Sequence, residues 1–487
     1  MRNWRFVASA CVFVGQVLPP VAAAAAYPIA FENNLRRAIT IQGHERDRFR
    51  LADRMGHFGV PGLSVAIVDH CRIVDARGFG RAAQDGSPVT TRTLFQAASM
   101  SKPLAAVAAL KLVDQGKLQL DSDIRPLLRD WSPPRDPKTG DKPVTLRELL
   151  GHTAGTNVEG FAGYLPGSPL PTVSQILRGQ APANNDPIRV ETAPGSTFNY
   201  SGGGYVIAQA LMTAATNQSF ARLMRRLVLG PAGMRSSTYA QPLDAEHAKF
   251  AAQGAGPDGT PMSVRWHVYP ELAPAGLWTT PTDYARFMIA LGRSVRGEDH
   301  RLVSAASAGQ LMTRGLGNWG LGVDLGPDGT PRQFGHTGAN AGYQSAFVMY
   351  PDTCQGAVVM TNSDEGNWLI SEVMDAIGGA YGWPGQQAPT IQAAIPLTED
   401  IIHEFAGTYR LHDYPAEKFT ISRKADGNLY WARVGHIGRD LLPESDTRLF
   451  SPDSAMTLEV RGWSGGKATS LNLSFGGGVL NVADRAE

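Results

Sequence analysis

Apolar and polar residues repeat along this chain with two periods, and the changes of period mark its elements. Leu51, Met55 and Phe58 fall at i, i+4 and i+7, predicting one stripe of a short helix that Pro61-Gly62 stops. Residues 63–68 read as a buried strand, 69–72 as a turn and 73–80 as a second strand, together a hairpin. The Ala- and Leu-rich stretch 99–115 predicts a helix in which Pro103 must lie in the first turn, where a missing N–H is tolerated. A mixed region with Gly-rich loops runs from about 121 to 325. Inside it Thr280-Pro281-Thr282-Asp283 predicts a helix start: threonine N-cap, proline at N1 and an acid at N3 that favours the helix dipole. Strands return at 333–338, 344–350 and 356–361, and a helix follows with Ile370, Val373, Met374, Ile377, Ala380 and Tyr381 on one face. Strands, a helical insertion, more strands and a helix predict an α/β (α+β) domain, with helices on a mainly antiparallel sheet.

Beyond that domain the pattern changes. Residues 384–397 are rich in Pro, Gly and Gln without a run of charge, and read as a linker. From 398 to 487 short alternating strands with turns at Asp426-Gly427 and 462–466 predict a small all-β, barrel-like domain. The N-terminus has the order of a targeting segment. Arg2 and Arg5 precede an apolar run over 6–14, and Ala22–Ala26 offer small residues for cleavage. We therefore expect residues 1–26 to be removed and 27–383 to form the first domain of an exported protein, periplasmic or secreted. No other stretch is long and apolar enough to cross a membrane.

Composition narrows the function classes. With 487 residues, two domains are expected. A net charge of +1 gives no electrostatic reason to bind nucleic acid, and removal of 1–26 takes away two arginines and no acid, leaving −1. Charged residues are 18% and hydrophobic ones 43%, so core material is ample and disorder is excluded.

Two serines invite inspection. Ser464 sits in a literal Gly-x-Ser-x-Gly, Gly462-Trp463-Ser464-Gly465-Gly466, but between alternating strands rather than on a strand-to-helix elbow, and reads as a hairpin turn. Ser99-Met100-Ser101-Lys102 differs: at i, i+3 on a helix start the amine can reach the hydroxyl, and the helix N-terminus favours developing negative charge. A lysine desolvated by apolar neighbours can be neutral and act as base. Alone the spacing is common. Its company is not: Phe198-Asn199-Tyr200-Ser201-Gly202-Gly203-Gly204 puts a tyrosine beside a Gly-rich loop, and His336-Thr337-Gly338 followed by Ala339 lies at a strand. Nothing matches a zinc or phosphate motif, and no cofactor or metal is expected.

With these three motifs in order, the chain resembles the penicillin-recognising serine hydrolases, in particular the class C β-lactamase-like and DD-carboxypeptidase group. The resemblance covers roughly 45–383 and includes Val60-Pro61-Gly62-Leu63-Ser64-Val65-Ala66, Leu149-Leu150-Gly151-His152-Thr153-Ala154-Gly155 and Ala275-Gly276-Leu277. It implies a β-lactamase/DD-peptidase-like fold in which strands 63–68 and 73–80 lie beside strands 333–361, with the helical insertion across the cleft. In such a sheet the turns carrying Cys71 and Cys354 are neighbours, so a disulfide between them is an open expectation. Phe405-Ala406-Gly407-Thr408-Tyr409 looks like the start of the lipocalin-like β-domain appended to some members.

The resemblance also implies roles. Ser99 attacks a carbonyl and Lys102 takes its proton. Tyr200 passes a proton to the leaving group, and the N–H groups of Ser99 and Ala339 form the oxyanion hole. His336, Thr337 and Gly338 orient the substrate's polar end. Gly202 departs from the pattern, since many members carry asparagine there. His152 reads as structural, while Trp278 and Trp319 could each line a pocket or fill the core. The expected substrates are small peptides, esters or β-lactams, with amides of D-amino-acid peptides ahead of the β-lactamase and esterase alternatives and of a weakly catalytic sensor or scaffold. Oligomeric state is left open.

Overall fold

The computed structural model describes residues 30–128, 131–383, 390–425, 427–475 and 478–486. The expected targeting segment over 1–26 and residues 384–389 of the expected linker lie outside them. The described residues form two compact units, one built from Pro61–Gly256 and Pro261–Gly366, the other from residues 30–60, Pro257–Thr260 and the described residues after 366.

In the first unit, strands β1 (Gly62–Asp69), β2 (Arg72–Gly80), β3 (Phe334–Asn340), β4 (Tyr343–Tyr350) and β5 (Gln355–Thr361) form one antiparallel sheet in the order β2-β1-β5-β4-β3. Every residue of β1 is buried, as its near-continuous apolar run requires of a strand covered on both faces. The tight turn into β2 uses His70 and Cys71 in the left-handed region, the φ signs that a two-residue hairpin demands. β1 runs antiparallel to β5, and Cys71 is bridged to Cys354 across Cα atoms 5.0 Å apart. β3 extends two residues further than its sequence suggests, through Ala339-Asn340, because the turn is made by Ala341-Gly342.

The helical insertion carries α1 (Ser101–Asp114), α2 (Gly202–Thr216) and α3 (Pro281–Val295). Residues 101–110 of α1 are all buried, so it is a core helix rather than an amphipathic one, and its alanines let neighbours approach closely. Pro103 sits in its first turn as expected. Thr280 caps α3 by accepting from the Asp283 N–H, with Pro281 at N1.

In the second unit, eight strands from Gly407–Leu411 to Gly478–Arg485 form a closed antiparallel barrel, with Tyr409 paired to Arg485. Buried Phe419, Ile421, Leu441, Leu458 and Leu471 recur on one face of their strands. The Gly465-Gly466 pair turns the Ser464 hairpin, both glycines at positive φ. Two features differ from the sequence expectation. The region from 398 opens with a helix, Glu399–Phe405 capped by Thr398, which puts Ile401 and Phe405 on one buried face. Thr390–Gln392, within the expected linker, pairs in parallel with Ile39–Ile41. The helices Leu51–Phe58 and Gly366–Tyr381 contribute Arg54, His57 and Glu372 to an ion-pair cluster with Asp453. His57, Asp440 and Asp453 have metal-like spacing, but Arg37, Arg54 and Lys424 already neutralise those carboxylates.

Candidate active site

The three motifs converge in the first unit. A short 3-10 turn, Ala98–Met100, leads into α1 and carries the half-buried Ser99. Ala98 sits at φ 50°, a left-handed conformation that a non-glycine residue holds only when its surroundings enforce it. They do so here: Ala97 N–H donates to Leu277 O (2.9 Å), Ser101 Oγ to Ala98 O (2.6 Å), and the Tyr239 and Tyr284 hydroxyls to Ser101 O and Met100 O (3.1 and 3.0 Å). The Ser99 N–H is among the first N–H groups of this helical segment, which have no partner within the helix.

Lys102 lies one turn on, with Nζ 2.8 Å from Ser99 Oγ and 3.2 Å from Pro274 O. It is 2% exposed. Burial pulls its pKa down to about 7, only partly offset by the charge of Glu159. Near neutrality a large fraction of this amine is therefore uncharged. One N–H is then held by Pro274 O, and the lone pair is available to the Ser99 hydroxyl.

Tyr200 precedes α2, which Ser201 caps by accepting from Gly204 N–H (3.0 Å). Lys102 Nζ lies over the Tyr200 ring at 4.8 Å. Burial pushes the phenol well above its usual range, outweighing the opposite pull of the Ser99 side chain, so it stays protonated. His152, at φ 59°, stacks on Tyr200 with ring centres 4.3 Å apart, and its Nδ1 accepts from Ser201 N–H at 3.0 Å. This histidine, read from sequence as structural, is buried and packs against Tyr200 and the Ser201 backbone.

Strand β3 supplies the opposite wall. His336, Gly338 and Asn340 are buried, whereas Thr337 and Ala339 are exposed. Gly338 has to be glycine: a Cβ there would lie 2.2 Å from Ala97 O and 2.6 Å from Ser345 Oγ, so any side chain would push β3 away from the Ser99 turn. Gly335 exchanges both backbone hydrogen bonds with Asp324 at the outer edge, at 2.8 and 2.9 Å. By the alternation of an antiparallel strand, the N–H groups of Thr337 and Ala339 point to that same edge. His336 Nδ1 donates to Thr337 O at 2.5 Å, which leaves Nε2 as a lone-pair acceptor, buried without a hydrogen-bond partner among the described residues. Burial first, and Lys102 second, hold its pKa down to about 3, so this imidazole is neutral.

Aromatic rings line the rest. Trp319 lies 5.1 Å from His336, 5.6 Å from Tyr200 and 5.7 Å from the half-exposed Phe198, on which it stacks. Trp278, in contrast, is a fully buried core residue.

A family model described as Beta-lactamase matches residues 50–373. The chain belongs to the beta-lactamase family. As a member it is a serine hydrolase of the beta-lactamase and penicillin-binding fold, joined to a closed eight-stranded barrel. It is 27% identical over 385 residues to Penicillin-binding protein 4 of Amycolatopsis lactamdurans, covering 75% of this chain and 97% of that protein. It is 34% identical over 219 residues to Esterase EstB of Burkholderia gladioli, covering 42% of this chain and 52% of the esterase. The octameric penicillin-binding protein homologue from Pyrococcus abyssi superposes with a TM-score of 0.59 at 21% identity, over 89% of this chain and 98% of that one, a likeness of fold. Among the described residues, no helix is long and apolar enough to cross a membrane.

Proposed function

We propose that this beta-lactamase-family protein is an exported acyl-hydrolase that works through an acyl-enzyme on Ser99, most suited to amide bonds of D-amino-acid-containing peptides. The observation that carries this reading is the buried Lys102 amine, 2.8 Å from Ser99 Oγ and pulled down to about 7 by burial. Neutral Lys102 takes the Ser99 proton as Oγ attacks the carbonyl. The oxyanion develops between the N–H of Ser99 and that of Ala339 on the β3 edge. Tyr200, still protonated, gives a proton to the leaving group; the proton held on Lys102 restores it. Water then repeats the sequence on the acyl-enzyme.

Support for a peptide-like substrate comes from the open edge of β3, whose outward N–H groups can pair with an extended chain, and from the likeness to a penicillin-binding protein. An ester substrate is the second reading. It is favoured by the local identity to an esterase and by Gly202, which offers no amide side chain to a substrate carbonyl.

Intact-protein mass after mixing with benzylpenicillin or p-nitrophenyl acetate, alongside Ser99→Ala, tests the proposal. A penicillin adduct absent from Ser99→Ala supports the acyl-enzyme; persistence marks a carboxypeptidase-like site and rapid decay a β-lactamase. Ester turnover without a penicillin adduct moves the protein to the esterase reading. Turnover that survives Ser99→Ala removes Ser99 as nucleophile.

A further inference from the structure

Many arginines of the first unit have an acid beside them. Arg125, Arg189, Arg296 and Arg301 each pair with a carboxylate two positions away, and Arg286 with one three positions away. One stretch departs from this. Between Glu191 and Asp244 the chain has no aspartate, glutamate or lysine, yet it carries Arg222, Arg225, Arg226 and Arg235. All four are exposed, and none makes an ion pair or a side-chain hydrogen bond with another described residue.

The local fold gathers them. Phe220–Met224 opens a helical segment that continues as a π turn over Arg225–Leu229 and closes at Gly230–Ala232. Its buried side chains, among them Leu223, Met224, Leu227 and Val228, join the core and pack against α1. Arg222, Arg225 and Arg226, at i, i+3 and i+4, share the solvent face. Gly233, at φ 75°, ends the segment, with Met234 N–H donating to Leu229 O at 2.8 Å, and Arg235 follows directly. Like charges three and four positions apart on a helix repel. A helix C-terminus favours a cation in its last turn, which accounts neither for Arg222 nor for the missing acids. The free protein therefore holds a repulsive set that approaching anions relieve.

The residue type narrows the anion. A guanidinium keeps its charge at any ordinary pH, and its planar fork matches paired phosphate oxygens. Among the described residues, no large apolar side chain between 217 and 242 is exposed, so this face has nothing to insert among lipid tails or to stack on a base. It reads charge alone. A plane of phosphates meets a helix face across its width and reaches Arg222, Arg225 and Arg226 at once, whereas a single polymer strand meets it along a line.

We propose that this face docks the protein on an anionic phospholipid bilayer, with Arg222, Arg225, Arg226 and Arg235 binding headgroup phosphates. The attachment is peripheral, weakens with salt and uses none of the residues of the Ser99 site.

The test sediments the full chain with vesicles of equal parts phosphatidylglycerol and phosphatidylcholine, or of phosphatidylcholine alone. Partition onto the anionic vesicles should exceed the other by about tenfold or more in about 50 mM NaCl and be mostly lost in about 500 mM. Replacing all four arginines by glutamine should weaken it about fivefold per arginine, and about a hundredfold or more in all. A charge-matched control, Arg125→Gln, Arg189→Gln, Arg301→Gln and Arg332→Gln together, removes as much charge from exposed arginines that already have an acid, and should weaken it by about threefold or less. Thermal unfolding shows that each variant is folded, and the single variants Arg222→Gln and Arg226→Gln carry the test if the fourfold one is not. Residues 1–26 are the same in every variant and cancel from these ratios. No preference for anionic vesicles, a preference that survives the fourfold variant or high salt, or an equal loss in the control overturns the inference. So does release of the bound protein by soluble polyphosphate at a lower phosphate concentration than that of the vesicles, which would make a polyanionic strand the ligand.

Discussion

Two equally buried cations, one in each unit, end in opposite states. Lys102 is 2% exposed and Arg54 3%. Arg54 forms paired hydrogen bonds to Glu372 and a 2.7 Å contact with Asp453, and these outweigh burial so that its pKa rises. Asp453 is likewise held well below the usual carboxylate range: burial would raise it, but the His57 hydrogen bond and the charges of Arg54 and Arg37 win. Among the described residues Lys102 has only a hydroxyl and a carbonyl within hydrogen-bond reach, with Glu159 felt only through its charge, and burial wins. For these two cations burial alone therefore does not decide charge and a touching carboxylate does, although Glu372 itself is raised by burial to about 7 in spite of Arg54. One arrangement ties together the start of the chain, a helix and the barrel. The other yields an amine that can change its protonation near neutral pH.

The contrast can be broken most severely by making the lysine behave like the arginine. Lys102→Arg puts an obligate cation beside Ser99, and acylation by p-nitrophenyl acetate should fall by about 10,000-fold, read from the burst rate. Breaking the other side should cost stability instead. Glu372→Ala leaves Arg54 buried with half of its partners gone, and the loss should be about 3–5 kcal/mol in denaturant unfolding. The gentlest perturbation is pH. Lys102 acts as base only when neutral, so the acylation rate should be flat above about pH 8 and fall through about 7. By pH 5 it should be roughly a hundredfold lower, since each unit below the pKa removes about nine-tenths of the neutral amine. A rate that instead rose toward acid pH would mean that charged Lys102 is the active form.

Much of this was legible in the chain because it is local. The Ser99–Lys102 spacing, Tyr200 before its glycines, the Thr280 cap and the Cys71 hairpin all depend on residues a few positions apart. The ion-pair cluster was not, because Arg54 meets Glu372 across 318 positions and Asp453 across 399. His152 was legible as a motif residue but its partner was not, since stacking on Tyr200 is a tertiary contact. Gly202 was visible as a departure. What packs against it was not, because nothing in the spacing from Glu159 to Tyr200 announces a loop folded back on the elbow. The helix over Glu399–Phe405 was missed within a region otherwise patterned as strands: at two turns it is too short for its period to stand out.

The Cys71–Cys354 bridge has one more consequence. Its two ends are 283 positions apart, so the bond closes a covalent ring that contains Ser99, Lys102, Tyr200 and His336. A protease that nicks any loop inside that ring opens the backbone without releasing a fragment. The cut protein should migrate as one band on a non-reducing gel and as two after reduction, and until the thiols are freed the nucleophile and the β3 edge remain parts of a single molecule.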